Sequence, residues 1–312
     1  MTVASDILES IGNTPMVQLR NVVPPGSARV LAKLEWANPT GSMKDRMAKA
    51  AVEAAEASGR LRPGGTVVEY TGGSTGISLA LVCAAKGYHL RLVTSDAFSE
   101  EKIRAMQAFG AQITLIPSDN KEITGELIND MIDAARRISR RPGHWWVNQI
   151  ENQDAVAGYY PMGEEIWGQT AGRVDAFVHS VGSAHSLNGV AKALRRRKPD
   201  LIVAAVEPAE SAVLSGKPKG SHKIEGIGIG FIPQHWEPDR VDEILTGSTE
   251  EAVGMCRRLA REEGIFAGTS SGLNVVAALR LAERLGSGAT VVTLMVDSGL
   301  RYLSTDLHRG GR

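Results

Sequence analysis

Short apolar runs rich in β-branched residues alternate along this chain with longer stretches whose apolar positions recur at helical spacing. Runs at 30–34, 66–70, 90–93, 112–116, 176–178, 202–206 and 290–295 predict strands. Stretches at 46–58, 99–109, 124–139, 250–263 and 275–285 predict helices, with shorter helical patterns at 77–85 and 190–197. Parallel strands need crossovers long enough to hold a helix, so this alternation implies largely parallel sheets flanked by helices. The expected fold class is α/β. No internal repeat or low-complexity linker interrupts the pattern.

Composition narrows the partners without naming a function. At 312 residues the chain is long enough for two packed domains. Lysine plus arginine (35) balances aspartate plus glutamate (35), so no long-range field draws it to nucleic acid or to an anionic membrane. The basic run Arg195-Arg196-Arg197-Lys198 reads as a solvated helix end, stopped by Pro199, because cations suit a helix C-terminus. Cys83 and Cys256 lie in apolar helical contexts and read as small packed hydrophobes, not a disulfide or metal ligands. The first residues lack a basic-then-apolar leader, and Lys86 interrupts the longest apolar stretch after Ile77. A soluble, cytoplasmic protein is expected.

Three polar stretches stand out against this background. In Asn38-Pro39-Thr40-Gly41-Ser42-Met43-Lys44-Asp45-Arg46, a turn leads into an alanine-rich helix and places Lys44 at its start. Backbone N–H groups there favour the neutral amine that Schiff-base chemistry needs. Taken alone, a solvated Lys-Asp-Arg at a helix start is the commoner meaning. Thr71-Gly72-Gly73-Ser74-Thr75-Gly76 joins a strand to a helix and would offer backbone donors to an anion, carboxylate or phosphate alike. Gly182-Ser183-Ala184-His185-Ser186-Leu187-Asn188-Gly189 does the same after another strand. Two anion cradles and an amine in a turn suggest a cofactor carrying both phosphate and aldehyde.

These stretches resemble the cysteine synthase and cystathionine β-synthase family of pyridoxal-phosphate (PLP) enzymes, of fold type II, and cysteine synthases (O-acetylserine sulfhydrylases) in particular. Further matches follow in the family's order: Ile7 to Pro15, Val206-Glu207-Pro208-Ala209-Glu210, Gly226 to Pro233, Gly268-Thr269-Ser270-Ser271-Gly272 and Asp297 to Thr305. The resemblance implies a two-domain, tryptophan synthase β-like fold facing a cleft. Residues 1–44 and 151–312 would form the larger, cofactor-binding domain, and 45–150 a smaller mobile domain that takes the substrate carboxylate.

The resemblance also implies a role for each site. Lys44 would hold PLP and move the substrate's α-proton. Ser270 would partner the pyridine nitrogen, although a helix N-cap is an equally natural place for it. A hydroxyl there leaves that nitrogen largely unprotonated, which favours β-elimination over transamination. Gly182, Ser183, Ala184, His185 and Ser186 would hold the phosphate, with Ala184 and His185 replacing two family glycines and restricting positive-φ conformations. His185 is expected to point outward. Thr71, Gly72, Gly73, Thr75 and Gln149 would take the α-carboxylate. Gly72 stands where the family usually has serine. Ser74 replaces an asparagine that bonds the cofactor's ring hydroxyl oxygen, and would reach it through water.

The activity so implied is ping-pong β-replacement through an aminoacrylate: O-acetyl-L-serine plus sulfide giving L-cysteine and acetate. Cystathionine or diaminopropionate formation is the alternative that keeps the cofactor and changes the substrates. A non-catalytic PLP-binding or regulatory protein is the alternative of another class. A dinucleotide-binding oxidoreductase lacks support, since no Gly-x-Gly-x-x-Gly run with a following acid is present. The implied partners are a small amino acid and a small nucleophile, a second copy in a homodimer, and serine acetyltransferase as a candidate. Nucleic acid, membrane and metal are not expected.

Overall fold

The computed structural model describes residues 3–308. The chain divides into two compact units, Met1–Ile11 with Lys44–Gly158, and Gly12–Met43 with Tyr159–Arg312. It passes first through β1 (Met16–Gln18) and β2 (Arg29–Leu34) of the larger unit. The smaller unit follows: α1 (Lys44–Ala57), β3 (Thr66–Tyr70), α2 (Ser74–Lys86), β4 (His89–Ser95) and α3 (Glu100–Ala108). It continues with β5 (Gln112–Ile116), α4 (Gly125–Ser139), β6 (His144–Trp146) and α5 (Asp154–Ala157). The larger unit resumes with α6 (Tyr160–Gln169), β7 (Ala176–Ser180), α7 (His185–Arg197), β8 (Ile202–Pro208) and β9 (Glu243–Gly247). It closes with α8 (Thr249–Glu262), α9 (Thr269–Leu285) and β10 (Thr290–Met295).

In the smaller unit a parallel sheet of order β5-β4-β3-β6 is covered on both faces. Val67, Leu90, Leu92 and Trp145 pack on one side with residues of α1 and α2. Val68, Tyr70 and Val93 pack on the other with Leu127 and Met131 of α4. Alternate residues of one strand thus serve two cores, which is why Val67 and Val68 of β3 are both apolar and both buried. Leu8 joins the first core, which draws residues up to Ile11 onto this unit. The sequence reading grouped 1–44 and 151–312 together; the observed unit boundaries fall at 11, 43 and 158.

The larger unit carries a six-stranded sheet of order β1-β2-β10-β7-β8-β9, parallel except for the β1–β2 pair. The α/β class with mostly parallel sheets flanked by helices is therefore observed. Three strands had no sequence signal. β1 and β6 are three residues long, and β9 is a half-buried edge strand with mixed polarity. Helix α6 was hidden by Pro161 and its glycines. Pro161 occupies the helix's first turn, where it is tolerated. A Cβ on Gly163 would lie 2.5 Å from that of Ala193, so this glycine lets α6 lie close against α7.

Helices α2, α7 and α9 start several residues before the sequence pattern suggested, at Ser74, His185 and Thr269. Their first turns are built from the Gly/Ser/Thr stretches that carry the candidate chemistry. Low helix propensity hides such turns in the sequence, and tertiary packing overrides it. The basic run ends α7 as expected, yet three of its four members are engaged in ion pairs. Arg195 meets Asp242, Arg197 meets Glu164 and Lys198 meets Asp175, while Arg196 lies over the ring of Tyr160.

Candidate active site

Lys44 is the first residue of α1 and is half-buried. Its neighbours Asp45 and Arg46 are buried as well, so the Lys-Asp-Arg stretch is not a solvated helix start. The preceding turn is tightly held. Gly41 takes a φ of 78° and its N–H bonds Asn38 O at 2.7 Å. Asn38 Nδ2 donates to Glu35 Oε2 at 2.9 Å, and Thr14 Oγ1 donates to Glu35 Oε1 at 2.7 Å. Asn38 Oδ1 accepts from Gly12 N–H at 2.9 Å. A buried glutamate therefore ties the Gly12-Asn13-Thr14 segment to the turn before Lys44. Met43 N–H bonds Val296 O at 3.0 Å, which anchors the residue immediately before the lysine.

The loop leaving β3 is organised around Thr71. Its hydroxyl oxygen accepts from Gly73 N–H at 2.9 Å and Gly76 N–H at 3.1 Å, which leaves the hydroxyl hydrogen to donate to a ligand. Ser74 and Thr75 are the first two residues of α2, whose N–H groups have no partner within a helix. Gln149 joins this loop. Its Oε1 accepts from Thr75 Oγ1 at 2.8 Å, and its Nε2 donates to Tyr70 O at 3.0 Å. Thr71, Gly73, Thr75 and Gln149 are thus brought together around one place, with the Thr71 hydroxyl and the second Gln149 amide hydrogen as its side-chain donors. Gly72 belongs to the same loop but donates no side chain. A Cβ there would lie 2.7 Å from Phe98 Cε1, so the Phe98 ring fills the space a serine side chain would take. Lys102 likewise covers Gly73, with its Cδ 2.3 Å from an added Cβ.

Behind this loop Glu69 is fully buried on β3. Its carboxylate accepts from Tyr70 N–H at 2.9 Å and Gln149 N–H at 3.0 Å. Burial pushes its carboxyl up to about 8, against the opposing pull of those N–H groups. Its only sequence signal is a charged residue inside the otherwise apolar run Thr-Val-Val-Glu-Tyr.

The second loop leads from β7 into α7. A Cβ on Gly182 would lie 2.5 Å from Gly226 O, so only glycine lets these two backbones approach. Ala184 takes a φ of 67°, the left-handed conformation that the replaced family glycine would adopt without strain. His185 does not point outward. It is 1% exposed, accepts or donates at Nδ1 to Ser183 Oγ at 2.9 Å, and packs on His235 with ring centroids 4.5 Å apart. The inward position follows from its place on the first turn of α7, whose whole first half is buried. Ser186 Oγ lies 2.8 Å from His179 Nε2.

The α7 end offers two serine hydroxyls, first-turn amides and a glycine-lined approach, with no carboxylate among these donors. That set fits a phosphate. Ser270 is the second residue of α9 and is buried; the cap position belongs to Gly268, so the N-cap reading of Ser270 does not hold. Its neighbour Ser271 accepts Val296 N–H at 2.9 Å. The two cysteines are buried and free, and desolvation raises both thiols to about 12. No group of three or more His, Cys, Asp or Glu residues able to hold a metal occurs among the described residues. No helix among them is long and apolar enough to cross a membrane.

Comparison with known proteins agrees with this chemistry. The family of pyridoxal-phosphate dependent enzymes matches residues 7–297. The chain belongs to that family, and its cofactor is pyridoxal phosphate. It is 42% identical over 305 residues to a cysteine synthase of Staphylococcus aureus (strain N315), covering 97% of this chain and 96% of that protein. Among solved structures it resembles the cysteine synthase of Entamoeba histolytica, with a TM-score of 0.92 and 38% identity over 100% of this chain and 92% of that one. It also resembles the O-acetylserine dependent cystathionine beta-synthase of Helicobacter pylori, with a TM-score of 0.91 and 35% identity over 99% of this chain and 100% of that one.

Proposed function

We propose that this protein is a cysteine synthase, converting O-acetyl-L-serine and sulfide to L-cysteine and acetate by β-replacement. The observation that carries the reading is near-full-length likeness to cysteine synthases, with a lysine held at the start of α1. PLP, when bound, supplies the conjugated electron sink that makes the substrate's α-proton removable and lets a β-substituent leave. Lys44 supplies the amine that joins the cofactor, and its Nζ then takes the α-proton and later returns it. Acetate leaves Cβ with the C–O bonding electrons, and hydrosulfide forms the new C–S bond there.

The remaining residues bind and orient. Gly182, Ser183, Ala184, His185 and Ser186 hold the phosphate. Ser270 would partner the ring nitrogen with its hydroxyl, and Ser74 would reach the ring oxygen through water. Thr71, Gly72, Gly73, Thr75 and Gln149 receive the α-carboxylate, an anion suited to the donor set gathered by α2's first turn. The phosphate loop and Ser270 belong to the larger unit, whereas Lys44, Ser74 and the carboxylate-binding residues belong to the smaller one. A cytoplasmic homodimer is the form in which we expect it to act, with serine acetyltransferase as a partner to test.

One feature favours a second reading within the same chemistry. Gly72 leaves this loop without the side-chain hydroxyl of the family pattern, which accords with a nucleophile other than sulfide, such as a thiol amino acid. The test is the visible absorption spectrum of the holoenzyme during addition of O-acetyl-L-serine. The cofactor band should shift and then return on adding sulfide, and Lys44→Ala should abolish both changes. Recovery driven faster by homocysteine than by sulfide would favour the second reading. A band indifferent to O-acetyl-L-serine would exclude both.

A further inference from the structure

His179 lies inside β7, buried to 1% exposure in the fully buried run Ala-Phe-Val-His-Ser. No role in the chemistry described above requires a histidine there. Its two ring nitrogens are nevertheless both engaged. Nε2 lies 2.8 Å from Ser186 Oγ, and Nδ1 lies 3.2 Å from Asn274 Nδ2.

The Asn274 amide has only one consistent orientation. Its Oδ1 accepts from Ser180 N–H at 2.7 Å, and its Nδ2 donates to Leu294 O at 2.9 Å. Nδ2 has a second hydrogen and no lone pair to offer, so at His179 Nδ1 it can only donate. Nδ1 must then be the unprotonated, accepting nitrogen, and the imidazole proton must sit on Nε2. Nε2–H accordingly donates to Ser186 Oγ. With its oxygen already accepting, Ser186 uses its own hydrogen as a donor away from His179, and such a chain polarises each successive bond.

We infer that His179, fixed by Asn274 in the Nε2–H form, is a positioning residue that turns the Ser186 hydroxyl into a dedicated donor to the cofactor phosphate. A serine without such a partner can rotate and present either a hydrogen or a lone pair; this one is committed before the anion arrives. The inference rests on the assignment of the Gly182–Ser186 loop to the phosphate, and extends it to two buried residues that touch no ligand.

The experiment is an equilibrium titration of the full-length apoprotein with PLP, followed by tryptophan fluorescence, in wild type, Ser186→Ala, His179→Ala, His179→Gln and the S186A/H179A double variant. His179→Ala should weaken PLP binding about tenfold, the scale of one hydrogen bond to a charged group. The double variant should bind no more weakly than Ser186→Ala alone, because His179 acts only through that hydroxyl. His179→Gln, which keeps an N–H at similar reach, should recover most of the affinity. Nitrogen-15 NMR of the histidine-labelled wild type should show His179 protonated at Nε2 alone. Additive losses, or a proton on Nδ1, overturn the inference, and the NMR arm stands even where a variant does not fold. Weakening by Ser186→Ala with no change in His179→Ala overturns the role of His179 alone. Unchanged affinity in Ser186→Ala overturns the loop assignment as well.

Discussion

Thr75 Oγ1 donates to Gln149 Oε1 across 2.8 Å, joining the second residue of α2 to a side chain 74 positions further along the chain. The bond sets Gln149 with its Nε2 toward Tyr70 O, using one amide hydrogen and leaving the other for a ligand. Together with the Thr71 hydroxyl this makes a donor set assembled from one loop and one distant residue.

Replacing Gln149 with leucine removes both the ligand hydrogen and the acceptor that orients Thr75. The expected result is a KM for O-acetyl-L-serine raised roughly tenfold to a hundredfold, the worth of one or two hydrogen bonds to a carboxylate. PLP affinity should be unchanged, since none of these residues is placed at the phosphate. Steady-state kinetics beside a PLP titration measure the two effects separately.

Glu69 gives the smaller unit a pH-dependent stability. Burial raises its carboxyl from 4.5 to about 8 in the folded chain, so between those values the folded state holds a proton that the unfolded state has released. Stability then falls as pH rises through this window, by up to about 1.4 kcal/mol per unit, and levels off above the folded value. Glu69→Gln cannot ionise. Urea unfolding at several pH values should show the wild type losing stability relative to Glu69→Gln from pH 5 to 8. Parallel curves for the two proteins would remove Glu69 as the cause.

How much of this site was legible in the sequence depended on whether a residue's role was local. Lys44 and the two small-residue loops could be singled out because connections from strand to helix recur at fixed places in an α/β fold and expose backbone donors at helix starts. The helix starts themselves were hidden by poor propensity. Phe98 and Asn274 had no local signature, since each acts on a residue brought close only by the packing of distant elements, and His179 is fixed by Asn274, 95 positions away. His185 was misread for a related reason. Histidine at a loop end reads as polar surface, and only the burial of α7's first half shows that it must turn inward.

Ala184 tests what the left-handed conformation costs. A φ of 67° strains a residue with a Cβ by about 1–2 kcal/mol. Glycine would relieve that, but would lose a buried methyl group and gain entropy in the unfolded chain, each offsetting roughly 0.5–1 kcal/mol. Ala184→Gly should therefore lie within about 1 kcal/mol of wild type. Ala184→Val adds β-branching at the same φ and should cost at least about 2 kcal/mol, read as a lower urea midpoint.

Gly72 is the clearest place where this chain's own packing departs from its relatives' pattern. Restoring the family serine looks conservative in sequence, yet its Cβ would lie 2.7 Å from Phe98 Cε1 and 3.0 Å from Cζ. Either the ring moves or the loop does. Phe98 is half-buried and packs with the β3–α4 core, so displacing it exposes apolar surface. A loop shift would instead spoil the Thr71 hydrogen bonds to Gly73 and Gly76. Both routes harm carboxylate binding. Gly72→Ser should lower kcat/KM for O-acetyl-L-serine more than tenfold, chiefly through KM. Phe98→Ala removes the obstruction, so the Gly72→Ser/Phe98→Ala pair should recover most of that loss and show strong non-additivity. Equal losses in the single Gly72→Ser and the double variant would mean that the ring does not set the space at this loop.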